Sequence, residues 1–224
     1  MKTILNIPHS SPLFPNLNEF RKWNNSEVLK RHIHDWTDWH TIELFSRSNL
    51  TSVVYPYSRF YMDVERLWND VLEKQGQGVI YTDFFGMKRI DNKENHKNEY
   101  FEHIKKYQDA GLEKNCVLVD CHSFPSFVAK DIDVCIGYNN DESLDKYIVD
   151  MVCGVFEKNG YVVCANFPYA NSLTPIKPLN YKSFMIEINK KTYMNEETLE
   201  INSGYKKLYK TLDKIYANLK NLQV

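Results

Sequence analysis

A three-layer α/β fold with a mixed, largely parallel sheet is predicted by three observations on this sequence. Strand-like and helix-like segments alternate along the chain, the pattern that layered α/β domains produce. Several strand-like segments are continuous apolar runs, which suggests burial on both faces of a sheet. One of them, Val117-Leu118-Val119, ends abruptly in Asp120-Cys121-His122-Ser123. Polar groups at the C-terminal end of a buried strand reach the crevice where open α/β sheets place their ligands.

The elements follow in order. Thr3 to Ile7 is the first expected strand. Ser26 can cap a helix from Glu27, and Asp38 to Ser46 reads as a second helical stretch. Strands are expected at Ser52 to Tyr55 and Val79 to Tyr81, then a long helix, polar on one side, from Glu94 to Leu112. Cys116 to Asp120 and Asp133 to Ile136 are the next strands. Ser143 to Lys158 starts at a cap signal and ends at Asn159-Gly160, a good helix stop. Tyr161 to Ala165 and Ser183 to Ile188 complete the strands. In the last helix Tyr205, Leu208, Leu212, Ile215 and Leu219 recur at three- and four-residue steps, giving one apolar stripe. No repeat, low-complexity segment or Gly/Ser linker divides the chain, so one domain is expected over residues 1–224.

Composition narrows the function classes. The 224 residues are 43% hydrophobic and 25% charged, ordinary for a globular protein. A net charge of -1 gives no broad electrostatic case for nucleic acid or an anionic membrane. No apolar run approaches the ~20 residues of a membrane helix, and no signal-peptide pattern precedes the first strand. A cytoplasmic location is therefore expected. The five cysteines are an odd number, sit mostly in apolar runs and include no CxxC pair. They read as buried free thiols rather than disulfides or a thiolate zinc site. An aromatic content of 14% fits a substantial core and an aromatic-walled cleft.

Two histidines lead the candidate chemistry. His9 in Ile7-Pro8-His9-Ser10 and His122 in Asp120-Cys121-His122-Ser123 each sit at a strand end. Side chains there can converge, and neutral imidazole is a good zinc ligand. Either histidine alone is as well explained by capping or ordinary hydrogen bonding. A third ligand would come from an oxygen or nitrogen group, and His32 to Thr41 offers many; a solvated helix entrance capped by Thr37 or Asp38 is the competing account. Tyr57 to Arg66 gathers Arg59, Asp63, Glu65 and Arg66. Arginine's planar fork suits a carboxylate substrate, whereas a surface ion-pair network would be worth little. Glu187 lies inside the apolar run Met185-Ile186-Glu187-Ile188. A carboxylate there must be paired, metal-bound or functional, and burial would raise its pKa as a general acid/base requires. Cys121 beside His122 suggests a cysteine nucleophile, but adjacent side chains on a strand face opposite ways. Asp120, not Cys121, should share the His122 side.

Taken together, these segments resemble the N-formylglutamate amidohydrolase family, whose broader relatives are zinc carboxypeptidase-like and aspartoacylase-like hydrolases. The resemblance is collinear over roughly residues 4 to 200. Pro8-His9-Ser10 is similar to the family's opening motif, with Ser11 in place of a glycine. Thr37-Asp38-Trp39-His40-Thr41 resembles its Asp-centred helix. Tyr57-Ser58-Arg59 through Asp63-Val64-Glu65-Arg66 resembles its Ser-Arg and Asp-x-Asn/Glu-Arg signature, and Gly78-Val79-Ile80-Tyr81 its next strand, with Arg89 downstream. Leu118 to Phe124 is similar to its Asp-x-His-Ser motif, the most specific element. Asp133 to Gly137, Asn166-Phe167-Pro168-Tyr169 and Met185 to Asn189 complete the order.

This resemblance implies a phosphorylase/hydrolase-like fold and a zinc-dependent amidase acting on a small carboxylated substrate. It implies His9, Asp38 and His122 around the metal, with Asp35 close to Asp38 in sequence. Glu187 is implied as the acid/base, with Arg59 and Arg66 as oxyanion or substrate groups and Ser58, Arg89 and Asn166 as further substrate-binding residues. Two departures bear on the pocket: Ala170-Asn171-Ser172 replaces a glycine pair, and Lys190 stands where an arginine is common. A zinc hydrolase for another acyl or peptide-like substrate, and a metal-free module that binds a carboxylated metabolite, are the alternative functions.

Overall fold

Among the described residues eight segments carry strand pairing, six in one main sheet and two in a hairpin, and the site follows from how they are ordered. A computed structural model describes residues 1–113, 115–139, 144–177 and 180–222. The strands are β1 (Lys2–Ile7), β2 (Thr51–Val54), β3 (Asp83–Phe84), β4 (Met87–Lys88), β5 (Cys116–Phe124), β6 (Val134–Gly137), β7 (Val163–Ala165) and β8 (Lys182–Asn189). The helices are α1 (Leu17–Arg21), α2 (Ser26–Trp36), α3 (Thr41–Phe45), α4 (Lys97–Asp109), α5 (Lys146–Lys158) and α6 (Tyr205–Asn221). The main sheet has the order β2-β1-β5-β8-β6-β7, and β3 pairs with β4 as a separate hairpin. β2, β1, β5 and β8 run parallel; β6 is antiparallel to β8, and β7 runs with β6. The predicted mixed, mainly parallel α/β sheet is the one observed.

Alternation along the strands sorts side chains into two layers. Leu5 and Ile7 of β1, Val117, Val119 and Cys121 of β5, and Phe184, Ile186 and Ile188 of β8 join one core with α3, α5 and α6. Ile4 and Leu118 face the other way, against Tyr107 of α4. Asn6, Asp120, His122 and Glu187 occupy strand positions on that second side, and their polar ends gather toward the C-terminal ends of the parallel strands. Cys121 is fully buried in the first core, its thiol pushed well up by burial, so it is no nucleophile. The stripe on α6 also packs there through Leu208, Leu212, Ile215 and Leu219, while Tyr205 is half-buried. All five cysteines are free, and among the described residues no helix is long and apolar enough to cross a membrane.

Several expected elements change. Val79 to Tyr81 is not a strand: only Tyr81 makes an isolated bridge, to Gln77. Val79 and Ile80 are buried in a loop against Tyr55, Tyr61, Met62 and Tyr100, and Tyr81 packs instead with Phe60 and Phe84; a short apolar run cannot distinguish that from a strand. The helix expected from Asp38 begins only at Thr41, because Asp38 N donates to His9 O (2.9 Å) and His40 adopts a left-handed φ of 62°. Asn25, not Ser26, caps α2, its side chain accepting from Val28 N at 3.1 Å. The Glu94 to Leu112 segment divides into a 3-10 turn over Lys93–His96 and α4, which ends at Asp109. α5 starts at Lys146 after Asp145, and the cap expected at Ser143 lies outside the described residues. β5 runs on to Phe124, so His122 lies inside the strand; α1 and the β3–β4 hairpin were not anticipated.

Candidate active site

Parallel pairing brings the chemistry of β5 and β8 side by side: His122 and Glu187 are direct register partners. His9 follows β1 by two residues, and the backbone bond from Asp38 N to its carbonyl draws Asp38 alongside. One ligand atom each from His9, Asp38 and His122 can be chosen so that all lie within 4.8 Å of one another, and all three residues are buried. His122 Nδ1 is 3.0 Å from Asp38 Oδ2, and His9 Nδ1 is 4.0 Å from the same oxygen. Asp35 instead sits on the outer side of α2, 3.1 Å from His34 Nδ1 and 42% exposed. Of the two neighbouring acids, only Asp38 joins the histidines.

The outer nitrogens of both imidazoles are held by carboxylates. His9 Nε2 donates to Asp63 Oδ1 at 2.7 Å. His122 Nε2 donates to Asp120 Oδ1 and Glu65 Oε2, each at 3.1 Å. Asp120 is itself fixed by Asn6 Nδ2 (2.6 Å) and Leu173 N (3.1 Å), and Tyr107 OH donates to Asn6 Oδ1 (2.8 Å). Asp63, wholly buried, also accepts from Tyr81 OH and from Arg59 Nη2 (3.2 Å). Such carboxylate–histidine pairs fix ring orientation and raise ligand basicity at metal sites.

Titration behaviour follows from these neighbours. Burial, reinforced by Arg59, lowers the His9 pKa to about 4, so its ring is neutral near pH 7. Its Nδ1 is buried without any hydrogen-bond partner. A neutral ring that donates from Nε2 leaves a bare lone pair at Nδ1, directed at Asp38 and His122. That orphaned atom, in a donor set of two imidazoles and a carboxylate, fits a divalent cation such as zinc. Burial opposes protonation of His122, but the Glu65 and Asp120 carboxylates outweigh it and hold its pKa well above the ordinary value. Burial would raise the Asp63 carboxyl, yet His9 and Arg59 keep it well below the usual range. At Glu187 burial wins: it outweighs the pull of His122 and Arg59 and pushes the carboxyl up to about 8, and its Oε2 has no partner.

These groups open on a cleft of about 730 Å³. Arg59 and Arg66 both line it, with side chains 17% and 23% exposed. Arg59 is tied to Asp63 and Tyr81 (Nη2 to Tyr81 OH, 3.0 Å). Among the described residues the Arg66 guanidinium makes no hydrogen bond, its Nε standing 3.8 Å from Asp63 Oδ2. The arginines and acids of this segment thus form a buried network rather than the surface network that was the competing account.

Three candidate substrate residues lie away from the cleft lining. Ser58 is buried and accepts from Phe60 N at 3.2 Å, shaping the loop that carries Arg59. Asn166, at a left-handed φ of 54°, accepts from Tyr138 N at 2.8 Å. Arg89 is fully enclosed: it donates to Phe60 O (2.9 Å) and Tyr61 O, and pairs with Glu19 (3.2 Å) and Asp91. Its guanidinium braces the Arg59–Asp63 loop from behind. Arg89→Met should therefore cost about 3 kcal/mol of stability by leaving the buried Phe60 and Tyr61 carbonyls without their donor and taking one cation from Glu19 and Asp91, read as a lower midpoint in urea. A change confined to KM, with stability intact, would contradict that placement.

The supporting acids Asp63, Glu65 and Asp120 were visible only as neighbours of the candidate residues. The usable signal was their spacing: Asp63 lies four residues after Arg59, and Asp120 two before His122 on one strand face.

A family model described as N-formylglutamate amidohydrolase matches residues 1–194. Among solved structures, the chain is similar to N-formylglutamate amidohydrolase from Ralstonia eutropha JMP134, at a TM-score of 0.73 and 21% identity, covering 97% of this chain and 92% of that one. It is also similar to a gene product from Agrobacterium tumefaciens, at a TM-score of 0.66 and 19% identity, covering 97% and 90%. At these identities the likeness shows the shared fold. No curated protein sequence matches the chain.

Proposed function

Because this chain belongs to the N-formylglutamate amidohydrolase family, we propose that it cleaves the amide of an N-acyl amino acid, with N-formylglutamate the first substrate and zinc the resident metal. The observation that carries this reading is the meeting of His9, Asp38 and His122 beside Glu187 in one arginine-lined cleft. Two imidazoles and a carboxylate are a donor set that catalytic zinc favours, with a position left for water or substrate. An ion so held supplies Lewis acidity, polarising a carbonyl and acidifying water.

The remaining work falls to the protein's own groups. Glu187 takes a proton from the attacking water at its unpartnered Oε2 and returns it to the leaving nitrogen. Its raised pKa suits the second task, since a buried carboxyl holds a proton long enough to deliver it. A cation beside it favours the carboxylate that begins the cycle. Arg66, with its guanidinium free of hydrogen bonds among the described residues, offers a fork to the substrate carboxylate. Arg59 is clamped by Asp63 and Tyr81 close to His9, where a fixed positive charge stabilises a developing oxyanion.

Product assays on N-formyl-, N-acetyl- and N-succinyl-glutamate test the reading. Formate release from the first, faster than cleavage of the other two, is the expected result. Inertness toward all three, with the metal-loaded protein, would reject it in favour of a binding role.

A further inference from the structure

The cleft has a wall that a small formyl dicarboxylic acid does not need. Its volume of about 730 Å³ falls among sites that hold ligands of drug-like size, roughly 300–1,000 Å³. An aromatic row runs outward from the charged centre. Tyr81 lies under Arg59, whose guanidinium carbon is 5.9 Å from the ring centroid. Phe84 stacks on Tyr81 at 5.3 Å and 6°. Trp36 meets Phe84 edge-on at 5.9 Å and lies nearly parallel to Phe85 at 6.0 Å and 23°. Beyond it, Phe127 packs edge-on against Trp36 at 5.9 Å.

The outer rings are in water. Phe85 is 70% exposed and Phe127 67%. A lone exposed ring is unremarkable, but a stacked group on the lip of a cleft marks a ligand surface. Phe85 is also costly where it stands. It and Gly86 form the two-residue turn between β3 and β4, with φ values of 49° and 81°. A turn with positive φ at both positions favours Asn, Asp or Gly first, and a bulky side chain there is strained. The chain nevertheless holds an exposed phenyl ring at this tip. Trp36 ends α2 just before the Thr37-Asp38 corner, so the platform is rigidly spaced from Asp38.

We propose that Trp36, Phe84 and Phe85 form a subsite for a planar aromatic group on the substrate, beside the arginines that take its carboxylate. This deepens the amidohydrolase reading and rests on it. The substrate class is an N-acyl amino acid bearing a ring, carried on either its acyl group or its amino-acid side chain.

Calorimetric titration of the metal-loaded Glu187→Gln protein tests the subsite without turnover. N-formylphenylalanine and N-phenylacetylglutamate place a ring on the two sides of the amide, and N-formylglutamate has none. At least one ring-bearing ligand should bind about tenfold more tightly than N-formylglutamate, the scale of a good aromatic contact. Adding Phe85→Asn, which suits the turn and so preserves the fold, should shrink that preference several-fold. Equal affinities, no binding by either ring-bearing ligand, or a preference that survives Phe85→Asn would each overturn the subsite. Hydrolysis by the wild-type protein is scored separately. Its failure would reject the amidohydrolase reading, whereas the affinity ratio alone decides the aromatic one.

Discussion

Glu187→Gln is expected to lower kcat by about 10²–10⁴-fold, the usual contribution of a positioned acid/base, while metal content stays at the wild-type level. The substitution is nearly isosteric and leaves the β5–β8 pairing untouched, since His122 and Glu187 are register partners through their backbones. It removes only the group that exchanges a proton. The same variant has a stability signature in the metal-free protein. The native carboxyl titrates near 8, whereas its ordinary pKa is 4.5. The native state thus holds a proton that the unfolded chain gives up earlier. Its contribution to stability is full below the ordinary pKa and is lost as pH climbs through about 8. Gln has no proton to lose. The variant should gain stability relative to wild type as pH rises across that window, then level off. Denaturant unfolding at several pH values reads this directly, and a difference that stays flat with pH would contradict a buried, proton-holding Glu187.

His122→Ala should have the larger effect, removing both metal and activity. The ring supplies Nδ1 toward Asp38 and, from its other nitrogen, the bonds to Asp120 and Glu65. Loss of an outer partner of a metal ligand typically costs 10–100-fold in affinity or activity; loss of the ligand itself should exceed that, so turnover should fall by more than about 10³-fold. The deletion also leaves Glu65 and Asp120 as adjacent buried carboxylates without their shared imidazole, so binding must be compared in protein shown to be folded by circular dichroism. A folded His122→Ala protein that kept wild-type metal affinity would remove this residue from the proposed centre.

Much of this arrangement was legible from the chain because polar residues that interrupt apolar runs stand out. An apolar run broken by Asp120 and His122, or a lone Glu187 within one, is a local signal whose cause is burial. The alternation rule alone placed Asp120 with His122 and turned Cys121 away, as observed. What stayed hidden depended on contacts between distant segments. Arg89 reads like Arg59 or Arg66 in sequence, yet Glu19 and Asp91 enclose it behind the loop. The resemblance implies Asp38 as the third group, with Asp35 close by in sequence, and it is the bond to His9 O that holds Asp38 beside the histidines. Val79 to Tyr81 has a strand's composition, but its apolar side chains find their partners in loop cores. The β3–β4 hairpin leaves no mark in the sequence, since Phe85-Gly86 lacks the Asn-Gly or Asp-Gly signal of such turns. That same departure exposes the ring on which the proposed aromatic subsite depends.

Elemental analysis of the purified, folded chain bears most directly on the central claim. One zinc per chain is predicted, retained in Glu187→Gln and lost in His122→Ala. Protein that hydrolyses N-formylglutamate at full rate after exhaustive chelation, with no bound metal detected, would contradict it.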